Sequence, residues 1–315
     1  MNDPFPVIRS PMLATLIDAP FDDDDWLFET KWDGFRALCA ISARGTMELR
    51  SRNGKDLLDR FPRLDALHAS FRGTSLLLDG EIVALDRYHR SNFQRLQEAE
   101  RRDVPLSYAV FDLLYARGHD LRERPLLERK ERLREVLRSG GSAFYSDYVI
   151  GAGRSFFSRA KRRHLEGIVG KRVASTYQER RSRDWVKIKA SFEQEFVIGG
   201  WSEPEGSRIG FGSLLLGAYD GTALRYVGEV GTGFSDAHLR EIHAMLRKRA
   251  RATAPFDDMP PGTNGVHWVS PNVVAEVRFT EWTRDRRLRH PVFLGLRDDK
   301  PAREVTFEFP VRWAT

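Results

Sequence analysis

An α+β fold in two units, with mixed and largely antiparallel sheets, is predicted by three features of this sequence. Residues 1–192 alternate between apolar strand-like runs and a few amphipathic helical ones. Residues 193–315 change texture, to short strands cut by Gly, Pro and Asp. The charge divides at the same place, with 35 Lys and Arg against 28 Asp and Glu up to residue 192 (net +7) and 16 against 17 after it (net −1). At 315 residues the chain is long for one domain and suits two, 1–192 and 193–315.

In the first unit, residues 26–50 alternate in strand fashion, through Trp26 and Phe28, Phe35 to Ile41, and Met47 to Arg50, with turns at Gly34 and Arg44-Gly45. Phe61 to Phe71 reads as a short helix. Leu76 to Leu78 and Ile82 to Leu85 read as a strand pair hinged at Gly80, and Tyr108 to Leu114 as another apolar strand. Pro125 to Leu137 is a charged amphipathic helix with Leu126, Leu127, Leu133 and Leu137 facing inward. Ile168-Val169 and Trp185 to Lys189 complete the strands. A linker is expected near Ala190 to Gln194.

In the second unit, Glu195 to Gly200, Leu214 to Tyr219 and Leu224 to Val230 are short strands, residues 236–251 one helix, and residues 266–269 and 273–279 strands again. About five strands with one interposed helix fit a small Greek-key barrel of OB type, a common nucleic-acid-binding scaffold.

Composition excludes several classes. Hydrophobic content of 41% builds ordinary cores, and no apolar run approaches the roughly 20 residues of a membrane span. Met1 to Ser10 has no apolar stretch of secretory type. Cys39 is the only cysteine, so an intrachain disulfide and a Cys-based zinc site are both excluded, which suits a reducing cytoplasm. The net charge of +6 favours a polyanionic partner or a solvated basic surface.

Lys31 is the most informative residue, with two readings, a lysine in a surface turn or a nucleophile. It lies in Glu29-Thr30-Lys31-Trp32-Asp33-Gly34-Phe35-Arg36, between two strand-like stretches. A nucleophilic lysine must lose its proton, and cations or desolvation nearby lower its pKa. Gly34 lets the backbone come close to a ligand, and Arg36 suits phosphate oxygens. No G-x-x-x-x-G-K-[ST] loop is present, and the glycine-rich run Gly228 to Gly233 follows a strand with no apolar helix opening on it, so it reads as a barrel turn.

Further runs each have two readings. Arg50-Ser51-Arg52-Asn53-Gly54 is a hairpin, or places Arg52 on a ribose or phosphate. Asp79-Gly80-Glu81 is a strand-end turn, or a carboxylate pair for a ligand. Phe111 is core, or a base-stacking platform. Glu166-Gly167-Ile168-Val169-Gly170-Lys171 opens an apolar strand with a carboxylate. Trp185-Val186-Lys187-Ile188-Lys189 puts Lys187 and Lys189 on one face with Trp185, either a solvated strand face or one that meets a polyphosphate, since two lysines repel unless anions sit opposite. Arg297-Asp298-Asp299-Lys300 closes a basic stretch that alone would pass for a DNA-backbone patch.

Taken together, these runs resemble, in order and spacing, the motifs of the ATP-dependent DNA ligases, beginning with K-x-D-G-x-R at Lys31. The resemblance extends from Pro11-Met12-Leu13-Ala14 to about Lys300. It is closest to the ligase domain of the bacterial non-homologous end-joining ligases, often called ligase D. Gly199 to Pro204 and Gly210 to Gly217 resemble that subgroup in particular. Gly170, where alanine is commoner, and Glu179, in a loop that usually carries glycine, depart from it.

The resemblance implies a nucleotidyltransferase domain followed by an OB-fold domain, with Lys31 as the adenylated nucleophile. The backbone at Glu29 and Thr30 would read adenine and Phe111 would stack on it. Arg52 and Glu81 would hold the ribose, Arg36 would lie near phosphate, and Arg181, Lys187 and Lys189 would contact the phosphates. Glu166, with Glu81, would bind a divalent metal, Mg²⁺ or Mn²⁺. Arg297, Asp299 and Lys300 would orient the leaving pyrophosphate when the barrel closes.

It further implies ATP as cofactor and nicked double-stranded DNA as substrate. Ku or a separate polymerase or primase would be partners, and the protein would be a monomer in the cytoplasm, at the nucleoid, with no membrane association. With 30 residues before Lys31, no large N-terminal DNA-binding domain is expected. An RNA ligase or a capping-type nucleotidyltransferase shares the first chemical step, and a non-catalytic DNA-binding module is the alternative from another class.

Overall fold

The computed structural model describes all residues except 1–3, 8, 9, 101, 191, 260–264 and 309–315, and the backbone alone of Gln94. The described chain divides into two compact units, the first ending at Ala190 and the second covering residues 192–308. The linker expected over Ala190 to Gln194 is narrower, because Phe192 to Gln194 already lie in a strand; Ser191 is outside the described residues.

The first unit runs β1 (Leu13–Leu16), β2 (Asp23–Thr30), β3 (Phe35–Ile41), β4 (Met47–Ser51), β5 (Leu76–Val83), β6 (Ser107–Ala116), β7 (His119–Asp120), β8 (Ala143–Tyr145), β9 (Tyr148–Gly151), β10 (Gly167–Arg172) and β11 (Arg181–Lys189). Between them lie α1 (Phe93–Glu98), α2 (Leu126–Val136) and α3 (Gly153–Arg162). The helix expected over Phe61 to Phe71 is a 3-10 turn, Pro62–Ser70. One sheet has the order β1-β11-β10-β2-β9, and the other β4-β3-β5-β6-β7, with β8 beside β6.

Alternation sorts β11 as expected. Trp185 packs with Phe111, Leu38 and Tyr177 between the two sheets, whereas Val186 and Ile188 pack with Phe28 and Ala160 beneath α3. The outer face of the second sheet buries Phe35, Leu78, Val110 and Leu133. Cys39 lies in this core with its thiol fully buried, and burial pushes its pKa up to about 12. Gly80 is not a hinge: β5 runs through it unbroken. A Cβ there would come 2.5 Å from the Tyr108 ring, so only glycine lets β6 pack against it.

The second unit runs β12 (Phe192–Ser202), β13 (Leu214–Asp220), β14 (Ala223–Val230), α4 (Asp236–Arg247), β15 (Val266–Phe279), β16 (Glu281–Trp282), β17 (Leu288–Arg289) and β18 (Val292–Arg297). The five-stranded sheet has the order β14-β13-β12-β15-β18, around a core of Phe196, Leu216, Val227 and Phe293. Antiparallel strands with a helix inserted before β15 give the OB-fold architecture that the sequence predicts. The two strands expected over 266–269 and 273–279 are one, β15. Ser235 caps α4 by accepting from His238 N at 3.2 Å.

Candidate active site

Lys31 follows the last residue of β2. Thr30 pairs with Ile168 of β10, and Lys31 N donates to Gly167 O at 3.0 Å, so the strand ladder fixes the lysine backbone. Gly167 has φ 154°, and a Cβ there would meet Ile188 O at 2.1 Å. That glycine allows β10 and β11 to close beside Lys31. Across the same strands, Val169 pairs with Glu29 and with Lys187, and Gly167 pairs with Lys189. Glu29, Lys31, Lys187 and Lys189 therefore share one face of the sheet.

The Lys31 ammonium is ion-paired to Glu166 Oε1. The other oxygen of that carboxylate, Oε2, is buried without a hydrogen-bond partner among the described residues. Burial pulls the Lys31 pKa down, but the Glu166 charge and hydrogen bond, helped by Asp33 and Glu81, hold it above its ordinary value of 10.5. The lowered pKa expected of a nucleophile is thus not the state of this site. The charges that hold the Lys31 pKa up are carboxylates, not cations.

Gly34 also acts otherwise than expected. Its Cβ would lie 2.0 Å from Ile82 O, so the close approach it permits is to β5 and not to a ligand.

Arg36, expected near phosphate, is held by Asp79. Nε and Nη2 donate to the two carboxylate oxygens at 2.6 Å each, and Nη2 also donates to Met12 O at 3.1 Å. Tyr177 Oη donates to the same carboxylate at 2.7 Å. Burial would lower the Arg36 pKa, and Asp79 raises it well above the ordinary value. The Arg36 guanidinium also lies 4.6 Å from the Phe111 ring centre.

Phe111 is only 7% exposed, with Lys171 Nζ 4.2 Å from its ring centre and 4.2 Å from that of Trp185. Both cations, Arg36 and Lys171, thus lie against the ring expected to receive a base. Burial, with Lys130 nearby, lowers the Lys171 pKa to about 8 although Glu29 opposes it.

Arg36 pairs with Glu81 across β3 and β5, and Arg52 follows Ser51, the partner of Ala37. Arg52, Arg36 and Glu81 so form a row at one end of this sheet. Arg181 is not brought to the others. It starts β11, is exposed and donates to Ala14 O, six residues from Lys187 on an extended strand, about 20 Å away. In the second unit, Arg297 is bidentate to Asp299 at 2.9 Å for both bonds and reaches Glu276 at 3.1 Å, while Lys300 Nζ is 3.2 Å from Glu195. The Asp299 carboxyl, which burial would raise, is held below its ordinary value by Arg297.

The sequence reading missed a layer of buried charge. Glu29 accepts from Lys130 at 2.5 Å, Lys171 at 3.1 Å and the Ser146 hydroxyl at 3.2 Å. Asp112 is bidentate with Arg129 at 2.8 Å for both bonds. The α2 stripe Leu126, Arg129, Lys130, Leu133 has i, i+3, i+4, i+7 spacing, so the periodicity itself put both cations inside.

The ATP dependent DNA ligase domain family matches residues 11–189, and the ATP dependent DNA ligase C terminal region matches residues 207–300. The chain is 41% identical, over 98% of its length, to the multifunctional non-homologous end joining protein LigD of Pseudomonas aeruginosa. It is 38% identical, over 95% of its length, to that of Mycolicibacterium smegmatis. It spans 37% and 40% of the lengths of these two relatives. The solved structure of a mycobacterial DNA ligase D complexed with ATP and MES is 36% identical, with a TM-score of 0.71, over 94% of this chain and 97% of that one. With more than half its residues in the first match, the chain belongs to the ATP-dependent DNA ligase family.

Proposed function

We propose that this chain seals nicks with a 5′-phosphate and a 3′-hydroxyl in duplex DNA, through AMP carried on Lys31. The observation that carries the reading is the Lys31–Glu166 pair at the meeting point of β2 and β10, with Lys187 and Lys189 on the same sheet face. Lys31 Nζ, once neutral, attacks the α-phosphate of ATP. A nitrogen–phosphorus bond forms and pyrophosphate leaves. The 5′-phosphate at a nick then takes the AMP and frees Lys31. The 3′-hydroxyl attacks that phosphate, closing the phosphodiester and releasing AMP.

All three transfers spread negative charge over phosphate oxygens, and Lys187 and Lys189 are placed to offset it. Glu29 and Thr30 offer backbone groups to the base, Phe111 its ring, and Arg52 and Glu81 the ribose contacts. Arg36 and Arg181 serve the fold and the strand edge. Arg297, Asp299 and Lys300 act on the pyrophosphate.

Glu166 Oε2, buried and without a hydrogen-bond partner among the described residues, fits a divalent cation, and Glu81 is the second carboxylate we assign to it. Mg²⁺ or Mn²⁺ held there would neutralise phosphate charge. Among the described residues no cluster of three or more His, Cys, Asp or Glu suits a metal ion, which favours a cation that keeps most of its waters.

The similar relatives are named for non-homologous end joining, and we extend that repair setting to this chain, with Ku or a separate polymerase as partners. We further assign it as a monomer working at the nucleoid in the cytoplasm. No helix among the described residues is long and apolar enough to cross a membrane.

The test is a denaturing gel after incubation with α-labelled ATP and Mg²⁺. Label should stay on the protein, sit on Lys31 by mass spectrometry, and vanish in Lys31→Ala. Label that persists in that variant, or that comes from GTP and not ATP, overturns the reading.

A further inference from the structure

Lys130 projects from α2 into the interior of the first unit and is fully buried. A buried ammonium is costly unless its donors are all satisfied. Here three acceptors meet it: Glu29 Oε1 at 2.5 Å, Ser146 O at 3.1 Å and Phe111 O at 3.3 Å. They come from three places. Glu29 is on β2, two residues before Lys31. Phe111 is on β6, in the other sheet. Ser146 lies between β8 and β9, and its hydroxyl accepts from Trp32 Nε1 at 3.0 Å, on the far side of Lys31.

One ammonium thus joins the strand carrying the nucleophile to the ring wall across from it. Through Ser146 it also holds the residue that follows Lys31. Its platform is fixed. The first two N–H groups of α2, at Leu126 and Leu127, donate to Ser175 O at 3.0 Å and Val173 O at 3.1 Å, just after β10. The neighbouring Arg129 donates to Ser175 O at 2.9 Å besides gripping Asp112 on β6. Neither sheet shifts against the other without breaking these bonds.

Packing alone does not call for a charge here. Well-packed apolar residues in place of a buried ion pair are often neutral for stability or better. What the ammonium adds is direction, since it sets three oxygen atoms from two sheets in one arrangement.

We propose that Lys130 is a positioning residue that sets base selectivity when Lys31 is adenylated, by holding the Glu29–Trp32 segment in register with the Phe111 ring. This rests on the proposed function, in which the backbone at Glu29 and Thr30 and the ring of Phe111 receive the base. Adenine and guanine exchange donor and acceptor at N1 and at the C6 substituent, and guanine adds an amino donor at C2. A site built from backbone donors and acceptors tells them apart only while those atoms are held in place. Loosening the segment relaxes selection before it stops transfer.

The test measures kcat/KM for lysyl-nucleotide formation with ATP and with GTP, in the wild type, Lys130→Met, Glu29→Gln and the double variant. The ATP-to-GTP ratio does not depend on the fraction of protein that is folded, so a general loss of structure leaves it unmoved. We expect Lys130→Met to lower the ratio about tenfold or more. The double variant should be no worse than that single one, because Lys130 acts through Glu29. Lys130→Met leaves Glu29 paired to Lys171 and Ser146, whereas the double variant takes the carboxylate from Lys171 as well, so two variants of different charge balance are at hand if one fails to fold. An unchanged ratio, or losses that add in the double variant, overturns the proposal. If the wild type forms no adduct, the proposed function itself fails; if it does and only the ratio is unmoved, this inference alone is lost.

Discussion

Arg36 of β3 grips Asp79 of the neighbouring β5 with two parallel hydrogen bonds of 2.6 Å, inside the first unit. Asp79 is fully buried, so its charge depends on this partner and on Tyr177. Removing the guanidinium strands a carboxylate in the interior. Arg36→Ala should therefore cost about 3–5 kcal/mol of stability by urea unfolding. Arg36→Ala with Asp79→Ala should recover part of it. A loss below about 0.5 kcal/mol would mean that Arg36 is held for ligands and not for the fold.

Lys31 and Glu166 predict a pH effect. Only the neutral amine attacks, and the paired ammonium titrates above 10.5. Adduct formation in the wild type should thus keep rising with pH well past neutrality. Glu166→Gln removes the charge that raises the pKa and leaves burial, which lowers it. Its profile should level off at lower pH, whatever its height. The measurement is adduct formation at ATP far below saturation, where the profile reports the free protein. Superimposable profiles would refute the pairing.

Lys171 titrates near 8 when folded and near 10.5 when unfolded. Between these values the unfolded chain binds more protons, so stability should rise with pH from about 8 to 10.5 and be flat below. The slope is roughly 1 kcal/mol per pH unit. Lys171→Met should lack this rise. The difference in urea unfolding free energy between wild type and variant, taken from pH 7 to 10, isolates it from other groups.

Gly34→Ala drives a methyl against Ile82 O, where the built Cβ falls at 2.0 Å. The start of β3 must move off β5, and the melting temperature should fall by several degrees, about 2–4 °C per kcal/mol lost. Adduct formation should fall with it. Unaltered melting would show that the strands have slack.

Arg297→Ala and Lys300→Ala should slow lysyl-AMP formation severely. Sealing of a pre-adenylated nick should be much less affected, because no pyrophosphate leaves in that step. Equal losses on ordinary and pre-adenylated nicks would assign these residues to DNA binding or to the packing around Glu276 and Glu195.

Much of this was legible in the residues. Period-two alternation put Trp185, Lys187 and Lys189 on one face of β11 and Val186 and Ile188 on the other, because a strand has no other way to present them. The buried cations were not read. The inward face read for that helix, Leu126, Leu127, Leu133 and Leu137, leaves out Arg129 and Lys130, although Leu126 and Leu133 bracket them at heptad distance. Nor does a local pattern tell what a glycine is for. Gly34 and Gly80 are demanded by strands distant in sequence, Gly34 by Ile82 and Gly80 by Tyr108. Arg36 and Arg181 matched a motif, but their partners, Asp79 and Ala14, follow from how the sheets fold.

Cys39 leaves the surface of this protein without a sulfhydryl among the described residues. Maleimides and other thiol-directed reagents should find nothing to label in the native molecule. A cysteine introduced at a chosen exposed position, on either unit, would be the one that reacts. Pairs of dyes or spin labels could then be attached without first stripping the chain of native thiols, and the separation of the two units followed directly through each step of the proposed sealing cycle.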